Sequence, residues 1–342
     1  MTAATYLPDY PANGYDEAQP RDITVSHAPV DQAFRQITRL SGSFVLLIMV
    51  LVGTFLTVKG VRAIKSVGLW EFITTRAWSP ETNHFGIAAL LFGTVTVALI
   101  ALVIAIPLSL GGALFITEIA TGWRKSVLTG AIDLMAAVPS VVYGLFGLVY
   151  LQKHIVPFSY WLSTYFGWIP IFKVDGADPK NPLPNDALYT SSSLIGGLIV
   201  GLMIVPIMTS MMRESFSRAP AGEREGAYAL GATRWGMIRT VVLPFGRGGI
   251  IGGTMLGLGR ALGETIAVYL ILSPIFDINF HVLQNGGNTV AMTIALRYGE
   301  ANDFTMSALM AAGLSLFLMT MAINFTASAI IARSRSGADS EA

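Results

Sequence analysis

The sequence has no cysteine and only four histidines among its 342 residues. Without cysteine there are no disulfides, thiolate metal sites or cysteine nucleophiles, and so few histidines make a metal cluster unconvincing. Charge is scarce as well: charged residues make up 13% of the chain, against about 25% in an average soluble protein. The formal net charge of +1 excludes the strongly basic surface of a nucleic-acid-binding protein.

What the chain has instead is hydrophobic residues, 53% of the total. So few charges do not cover a globular surface with polar groups, and we therefore expect a bilayer to be the solvent of this protein. This excludes a soluble enzyme, a DNA-binding module and a disordered scaffold. The polar start of the chain contains no apolar core of a signal peptide, so we expect no cleavage there.

Long apolar stretches predict an all-α polytopic membrane protein with six transmembrane helices. A helix needs about 20 apolar residues to cross a bilayer. Five charge-free stretches have roughly this length: 40–58, 85–117, 134–152, 187–212 and 304–332. A sixth stretch, 248–273, is the fifth in chain order and is interrupted only by Arg260 and Glu264. Within the second stretch Pro107 is expected to end the span and leave a shorter helix after it, because proline disrupts a helix interior.

The basic residues predict the orientation. Six arginines lie between the fourth and fifth spans: Arg213, Arg218, Arg224, Arg234, Arg239 and Arg247. By the positive-inside rule this segment, and with it both termini, is cytoplasmic. One basic patch disagrees, because it would lie outside after the first span: Lys59, Arg62, Lys65 and Arg76.

The chain divides into a permease domain and two tails. Residues 1–38 are polar and contain several prolines, which predicts a disordered cytoplasmic tail; the alternative is a segment that becomes ordered on a partner subunit. The transmembrane domain covers 39–335, and 336–342 form a short polar tail. Two external loops, 153–190 and 274–303, either cap the helix ends or form a docking surface for an external partner.

The cytoplasmic segment at about 214–246 predicts two short helices joined by a turn. Alanine-rich sequence favours a helix before Gly231, and Gly231 allows the left-handed conformation that ends one. An amphipathic stretch follows and ends at Pro244. Such a segment either fits a groove in a cytoplasmic partner or lies on lipid head groups.

The spacing of this segment resembles the EAA motif of binding-protein-dependent ABC importers. That motif reads Glu-Ala-Ala, three residues, Gly, nine residues, Ile, one residue, Leu-Pro, and the matching positions are Glu225, Gly226, Ala227, Gly231, Val241, Leu243 and Pro244. Gly226 replaces the central alanine and Val241 the isoleucine. The resemblance implies a six-transmembrane-helix type I ABC importer permease whose cytoplasmic coupling helix docks on a separate ATPase subunit.

ATP hydrolysis is not expected on this chain. The sequence contains no Gly-Lys pair and therefore no Walker A motif. The resemblance places ATP and Mg²⁺ on the partner ATPase subunits. We expect this chain to bind no cofactor of its own and to be a transporter subunit rather than an enzyme.

Two charges in the sixth stretch suggest a substrate pathway. Arg260 and Glu264 are four residues apart, on one face of a continuous helix, and charges within a span rarely face lipid. They either neutralise each other or form an oxyanion site, since the planar fork of arginine suits a tetrahedral oxyanion. A partly protonated phosphate could donate a hydrogen bond to the carboxylate, whereas a fully ionised sulfate could not. On the residues alone both interpretations stay open.

Glycines in the same stretch predict close helix packing. Gly249, Gly253 and Gly257 recur at a spacing of four residues, and small residues on one face let helix backbones approach each other. The sixth stretch is therefore expected to be central in the bundle.

The third stretch contains a second candidate for the pathway. Pro139 frees backbone groups, which Ser140 or water could satisfy in a broken helix. Asp133 either lines such a pathway or is solvated near the cytoplasmic end of the span beside Lys125; we favour the solvated position.

Two segments, Pro139 to Gly144 and Arg260 to Thr265, resemble hallmark segments of phosphate ABC importer permeases. The sequence Arg-Ala-Leu-Gly-Glu-Thr is similar to that of the C-type subunit of the Pst system. The similarity to this subunit covers about residues 40 to 333. The family more often has glutamate where Asp133 stands. The resemblance implies these pathway residues: Arg260, Glu264, Thr265, Ser140 and Asp133.

The resemblance also implies an assembly in the bacterial plasma (inner) membrane. An A-type permease would complete a heterodimer, two ATPase subunits would lie below it, and an extracytoplasmic phosphate-binding protein would dock above. Three alternatives are weighed against this: a permease for another oxyanion such as sulfate, molybdate or phosphonate, an ion-coupled secondary transporter, and a membrane enzyme. A secondary transporter would leave the EAA-like spacing unexplained. A membrane enzyme would need a set of catalytic residues that the sequence does not offer.

Overall fold

The computed structural model describes residues 29–177 and 185–335. In these residues the fold is helical, with a single short hairpin in which β1 (Trp78–Ser79) pairs antiparallel with β2 (His84–Phe85). The helices, in chain order, are α1 (Pro29–Val67), α2 (Leu69–Thr74), α3 (Ala88–Leu114), α4 (Gly122–Ala136), α5 (Ser140–Phe146), α6 (Gln152–Phe166), α7 (Ser193–Ser217), α8 (Ala221–Ala229), α9 (Arg234–Met237), α10 (Leu243–Phe245), α11 (Arg247–Leu262), α12 (Ile266–Ile271), α13 (Val290–Arg297) and α14 (Asp303–Arg335).

The number of spans agrees with the sequence prediction. Five helical stretches are long and apolar enough to cross a membrane: Pro29–Val67, Ala88–Ile119, Ser140–Phe166, Ser193–Ser217 and Asp303–Thr326. A sixth span is reached if Arg234–Phe245 and Arg247–Leu262, which meet at a bend of 65°, count as one. The all-α membrane fold is therefore confirmed.

Pro107 does not end the second span, contrary to the prediction. Helix α3 runs through it to Leu114 and continues as a π-helical segment, Phe115–Ile119. Buried residues on both sides of the proline, Ala105 and Ser109, pack into the core, and the hydroxyl of Ser109 donates to the carbonyl of Val205 on α7 at 3.1 Å. Tertiary packing thus outweighs the cost of one lost backbone hydrogen bond.

The third span lies later in the sequence than predicted. The helix restarts at Ser140, after Pro139, and continues through a π-helical segment to Phe166. Fourteen residues of the predicted loop 153–190 therefore belong to α6, which buries Val156 and Ser159. In the other predicted loop, 274–303, residues Val290–Arg297 form α13.

The terminal boundaries differ in part from the sequence expectation. Helix α1 begins at Pro29, so the expected end of the N-terminal tail at residue 38 falls inside a helix. Residues 1–28 and 336–342 lie outside the described residues. The described chain forms two units, one ending at Val52 and one beginning at Gly53.

Helices α3, α7 and α11 form the core of the second unit. A Cβ added to Gly197 on α7 would lie 2.5 Å from Ile100 on α3. On α11, a Cβ at Gly257 would lie 2.6 Å from the sulfur of Met208, and one at Gly253 would lie 3.3 Å from the Met208 carbonyl oxygen. The glycine face of α11 therefore packs directly on α7, as the four-residue spacing predicted.

Candidate functional site

The predicted fifth span, residues 248–273, is broken where the two charged residues lie. Helix α11 ends at Leu262 and α12 begins at Ile266. Between them, Oε1 of Glu264 accepts a hydrogen bond from the backbone N–H of Ala267 at 3.1 Å. The carboxylate thereby satisfies one of the unpaired N–H groups in the first turn of α12. With 8% of its surface exposed, Glu264 is a buried residue that caps a helix.

Arg260 and Glu264 do not form the ion pair that their spacing suggested. The five ion pairs among the described residues do not include them. Because α11 stops at Leu262, Glu264 does not occupy the next turn of the same helix. Arg260 is left in the last turn of α11, where the helix dipole favours a cation, and its side chain is exposed.

Arg260 lines a cavity of about 530 Å³ between three helices. The wall is mostly apolar or glycine, and its polar side chains are Arg260, Asn324 and Ser328. The other lining residues are Ile207, Met211, Gly252, Met255, Leu256 and Gly259. Among the described residues, no hydrogen bond or ion pair engages the three polar side chains. The cavity therefore offers donors that no other described group engages, on helices that are long and apolar enough to span a membrane.

Asn324 and Ser328 were missed by the sequence reasoning. The carboxamide oxygen of Asn324 would lie 3.9 Å from a Cβ added to Gly259, so Asn324 lies beside this glycine of α11. Within the long apolar helix α14, these two polar residues are four apart and share one face with each other. A search for polar residues at helical spacing within the spans could have found them.

The first hallmark segment, 139–144, packs against the helix that follows the second, 260–265. A Cβ on Gly144 of α5 would lie 2.9 Å from the Cα of Ala267 on α12. Thr265 donates its hydroxyl to the Gly263 carbonyl at 3.1 Å and thus stays within the helix break. Ser140 is half-buried at the start of α5.

At the break before Pro139, a backbone carbonyl is satisfied by a residue that the sequence did not single out. The hydroxyl of Tyr143 donates to the carbonyl of Met135 at 3.0 Å, and so satisfies a backbone acceptor at the end of α4. Ser140 or water had been expected in this role. The signal was a tyrosine one turn after the proline.

Asp133 contacts α7 and does not line the Arg260 cavity. Its Oδ1 accepts from the hydroxyl of Ser210 at 3.3 Å and lies 3.7 Å from Nη2 of Arg213. The carboxylate is 54% exposed. The structure therefore gives Asp133 polar partners at the arginine-rich end of α7.

The coupling segment has the predicted helix–turn–helix form. Gly231 has φ = 83°, and the backbone N–H of Ala232 returns to the Ala227 carbonyl at 3.0 Å, so Gly231 ends α8 in the left-handed conformation. The side chain of Thr233 accepts from the Gly236 N–H at 3.1 Å and caps α9. Pro244 lies within α10 and does not end the second helix.

The surface of this segment is partly apolar. Leu230 is 91% exposed and Trp235 is 62% exposed. Glu225 and Gly226 are also exposed, and a Cβ on Gly226 would meet nothing within 4 Å. Gly226 is therefore not required for packing against any described part of this chain.

The two loops that the sequence predicted to be external are held to each other. Lys173 lies 2.8 Å from Oδ1 of Asp175, and His281 lies 3.5 Å from its Oδ2. The hydrogen bond from Lys173 is the main reason why the pKa of Asp175 is lowered. The side chain of Gln284 accepts from the Asp175 backbone N–H at 3.3 Å. Where described, both loops are therefore ordered.

Within 29–177 and 185–335, no three or more His, Cys, Asp or Glu side chains are grouped so that they could hold a metal ion. The sequence also lacks the glycine-rich loop that would hold nucleotide phosphates.

Comparison with known proteins gives consistent matches. The family of binding-protein-dependent transport system inner membrane components matches residues 105–336. "Phosphate transport system permease protein PstC" of Xylella fastidiosa (strain Temecula1) is 36% identical over 307 residues, which cover 89% of this chain and 90% of that protein. The protein of the same name from Pasteurella multocida (strain Pm70) is 35% identical over 303 residues, covering 87% and 91%.

A solved structure supports the fold. A bacterial ABC transporter involved in the import of the acidic polysaccharide alginate contains a chain that superposes with a TM-score of 0.55. The match covers 88% of this chain and 99% of that chain at 16% identity, so the likeness concerns the fold alone.

Proposed function

This chain belongs to the family of phosphate transport system permease proteins, within the binding-protein-dependent inner membrane components, and on that premise we propose that it forms part of the pathway by which an ATP-driven importer moves inorganic phosphate. As a member, it is a multi-pass inner-membrane permease and not the catalytic subunit. The observation that carries the proposed pathway is the unpaired Arg260 in its cavity.

Arg260 is the residue that we expect to bind the anion. Its guanidinium presents several donors in a plane, which suits two oxygens of one tetrahedral phosphate. The surrounding wall is largely apolar, so a charged hydrogen bond there is less screened than in water. Asn324 and Ser328 would supply further hydrogen bonds along the same wall.

Glu264 is proposed to contribute to anion binding beside Arg260 rather than to neutralise the Arg260 charge. Its Oε1 caps α12, which holds the break that leaves Arg260 at a helix end. A hydrogen bond from a protonated phosphate would therefore go to Oε2. Thr265 and Ser140, at the starts of α12 and α5, are proposed as neighbouring pathway residues, and Asp133 as a polar residue nearer the arginine-rich end.

The coupling segment is proposed to dock on a separate ATPase subunit. Exposed Leu230 and Trp235 offer an apolar surface for a groove, next to the exposed Glu225. Gly231 supplies the turn between the two helices, and Ala227, Leu243 and Pro244 complete the EAA-like pattern. ATP and Mg²⁺ would be bound by that partner.

The remaining partners and the orientation complete the proposal. An A-type permease would cover the open side of the pathway, two ATPase subunits would bind on the cytoplasmic side, and an extracytoplasmic phosphate-binding protein would dock on the ordered external loops. The arginine-rich segment between the fourth and fifth spans favours both termini in the cytoplasm.

Uptake by the assembled complex tests this function. The permeases, the ATPase and the binding protein are reconstituted in proteoliposomes, and uptake of radiolabelled phosphate and sulfate is measured with and without ATP. We expect phosphate uptake that requires ATP and exceeds sulfate uptake. Uptake driven by an ion gradient without ATP would contradict the proposal of an ATP-driven importer. A preference for sulfate would contradict phosphate as the substrate.

A further inference from the structure

A buried ion pair joins the coupling segment to the C-terminal end of α3. Nη1 of Arg224 on α8 donates to Oε2 of Glu118 at 3.2 Å and lies 3.1 Å from Oε1. The second contact is short but not aligned as a hydrogen bond, since Oε1 lacks a bonded donor. The Glu118 side chain is 4% exposed and that of Arg224 is 22% exposed. Removing a charged carboxylate from water is costly, and a cation beside it offsets this cost.

The same guanidinium also holds the end of α7. Nη2 of Arg224 donates to the backbone carbonyl of Phe216 at 2.7 Å. This carbonyl is in the last turn of α7, where helix carbonyls lack partners within the helix. One side chain of the coupling segment therefore binds the ends of two spanning helices.

Glu118 lies in an unusual piece of backbone. It belongs to the π-helical segment Phe115–Ile119, which ends where the Ala120 N–H donates to the Phe115 carbonyl at 2.8 Å. Short π-helical turns inside helices are frequent at functional sites. The wider turn gives the end of α3 a side-chain direction that a regular α-helix would not give.

One of the two helices held by Arg224, α7, forms part of the wall of the Arg260 cavity. Helix α7 contributes Ile207 and Met211 to its wall and packs against the glycine face of α11. Because a packed core transmits displacement rather than absorbing it, a shift of α8 would move the end of α7 and with it one wall of the cavity.

We propose that the Glu118–Arg224 pair is the connection through which movement of the coupling helices reaches α3 and α7. Both are positioning residues and touch no substrate. Arg224 faces inward, whereas the next residue, Glu225, is exposed and available to a partner. The inference rests on the proposed function, because it assumes that α8 receives a movement from an ATPase.

A double-mutant cycle separates coupling from simple stability. Glu118→Gln, Arg224→Gln and the double variant are assembled in the full complex, and three quantities are measured: ATPase copurification, ATP hydrolysis, and phosphate imported per ATP hydrolysed. We expect each single variant to retain the ATPase but to import about tenfold less phosphate per ATP. The double variant is expected to be no worse than either single variant, because the two residues act as one unit.

The exposed pair Glu214–Arg218 supplies the matched control. It is an i,i+4 pair at the same end of α7, with side chains 61% and 71% exposed. Glu214→Gln and Arg218→Gln are expected to leave the phosphate-to-ATP ratio unchanged, because exposed pairs contribute little.

Three results would overturn the role of the buried pair. They are an unchanged ratio in the single variants, defects that multiply in the double variant, and a failure of all three variants to assemble, which would reduce the pair to a fold-stabilising contact. A wrong substrate assignment can be distinguished from a wrong role for the pair. If phosphate is not the substrate, the wild-type complex will import no phosphate, while ATP hydrolysis stimulated by the binding protein will still report on the pair.

Discussion

Gly144 and Ala267 are in such close contact that a Cβ on Gly144 would lie 2.9 Å from the Ala267 Cα. This contact joins the helix that follows Pro139 to the helix that Glu264 caps. Two breaks in spanning helices therefore meet at one point, and their relative position depends on the absence of a single methyl group.

Gly144→Ala is expected to destabilise the protein by about 1–3 kcal/mol, because the added methyl group forces the two helices apart. The melting temperature of the purified complex and its phosphate uptake measure the effect. Gly130→Ala on α4 is the matched control, because nothing lies within 4 Å of its added Cβ. Equal behaviour of the two variants would contradict a role for the contact.

Gly226→Ala and Gly231→Ala should change the free energy of unfolding in opposite directions. Position 226 is open and lies within α8, so alanine should stabilise that helix by about 0.5–1 kcal/mol. At position 231, where φ is 83°, alanine should cost about 1–2 kcal/mol. Thermal unfolding and ATPase copurification compare them. A loss of ATPase binding in Gly226→Ala would show that the partner itself requires the glycine.

Glu264→Gln and Glu264→Ala separate the capping role from the charge. Glutamine keeps an oxygen that can accept from the Ala267 N–H, so Glu264→Gln should fold normally. Alanine removes the cap and should cost about 1 kcal/mol. Because the carboxylate is also proposed to accept a hydrogen bond from protonated phosphate, Glu264→Gln should reduce uptake without lowering the melting temperature. Normal uptake by Glu264→Gln would leave capping as its role.

Asn324→Leu should weaken phosphate uptake, because it removes a hydrogen-bonding group from the cavity wall and adds an apolar one. A raised KM for uptake, with the ATPase still bound, is the expected result. Thr326→Val is the matched control on the same helix, since the Thr326 hydroxyl donates to the Ala322 carbonyl of its own helix at 2.8 Å and does not line the cavity. An equal KM in both variants would exclude Asn324 from the pathway.

The sequence predicted those features that depend on local composition. Long apolar stretches predicted the spans, the glycine spacing predicted the packing of α11 on α7, and Gly231 predicted the turn of the coupling segment. These features follow from hydropathy and backbone conformation, which are properties of short segments.

Features that depend on tertiary contacts were missed. Pro107 was expected to end a helix that the core in fact holds together. The pairing of Arg260 with Glu264 assumed a continuous helix, whereas Glu264 bonds to the Ala267 N–H. The Glu118–Arg224 pair joins residues that are 106 positions apart, and no spacing rule connects them.

The most direct test of the account is phosphate uptake by Arg260 variants in the reconstituted complex. Arg260→Lys keeps the positive charge but loses the planar pair of donors, and Arg260→Gln loses both. With the ATPase bound and the melting temperature unchanged, we expect Arg260→Lys to import phosphate poorly and Arg260→Gln to import almost none, while Arg218→Gln remains normal. Wild-type uptake by Arg260→Gln would contradict the assignment of Arg260 to the phosphate pathway.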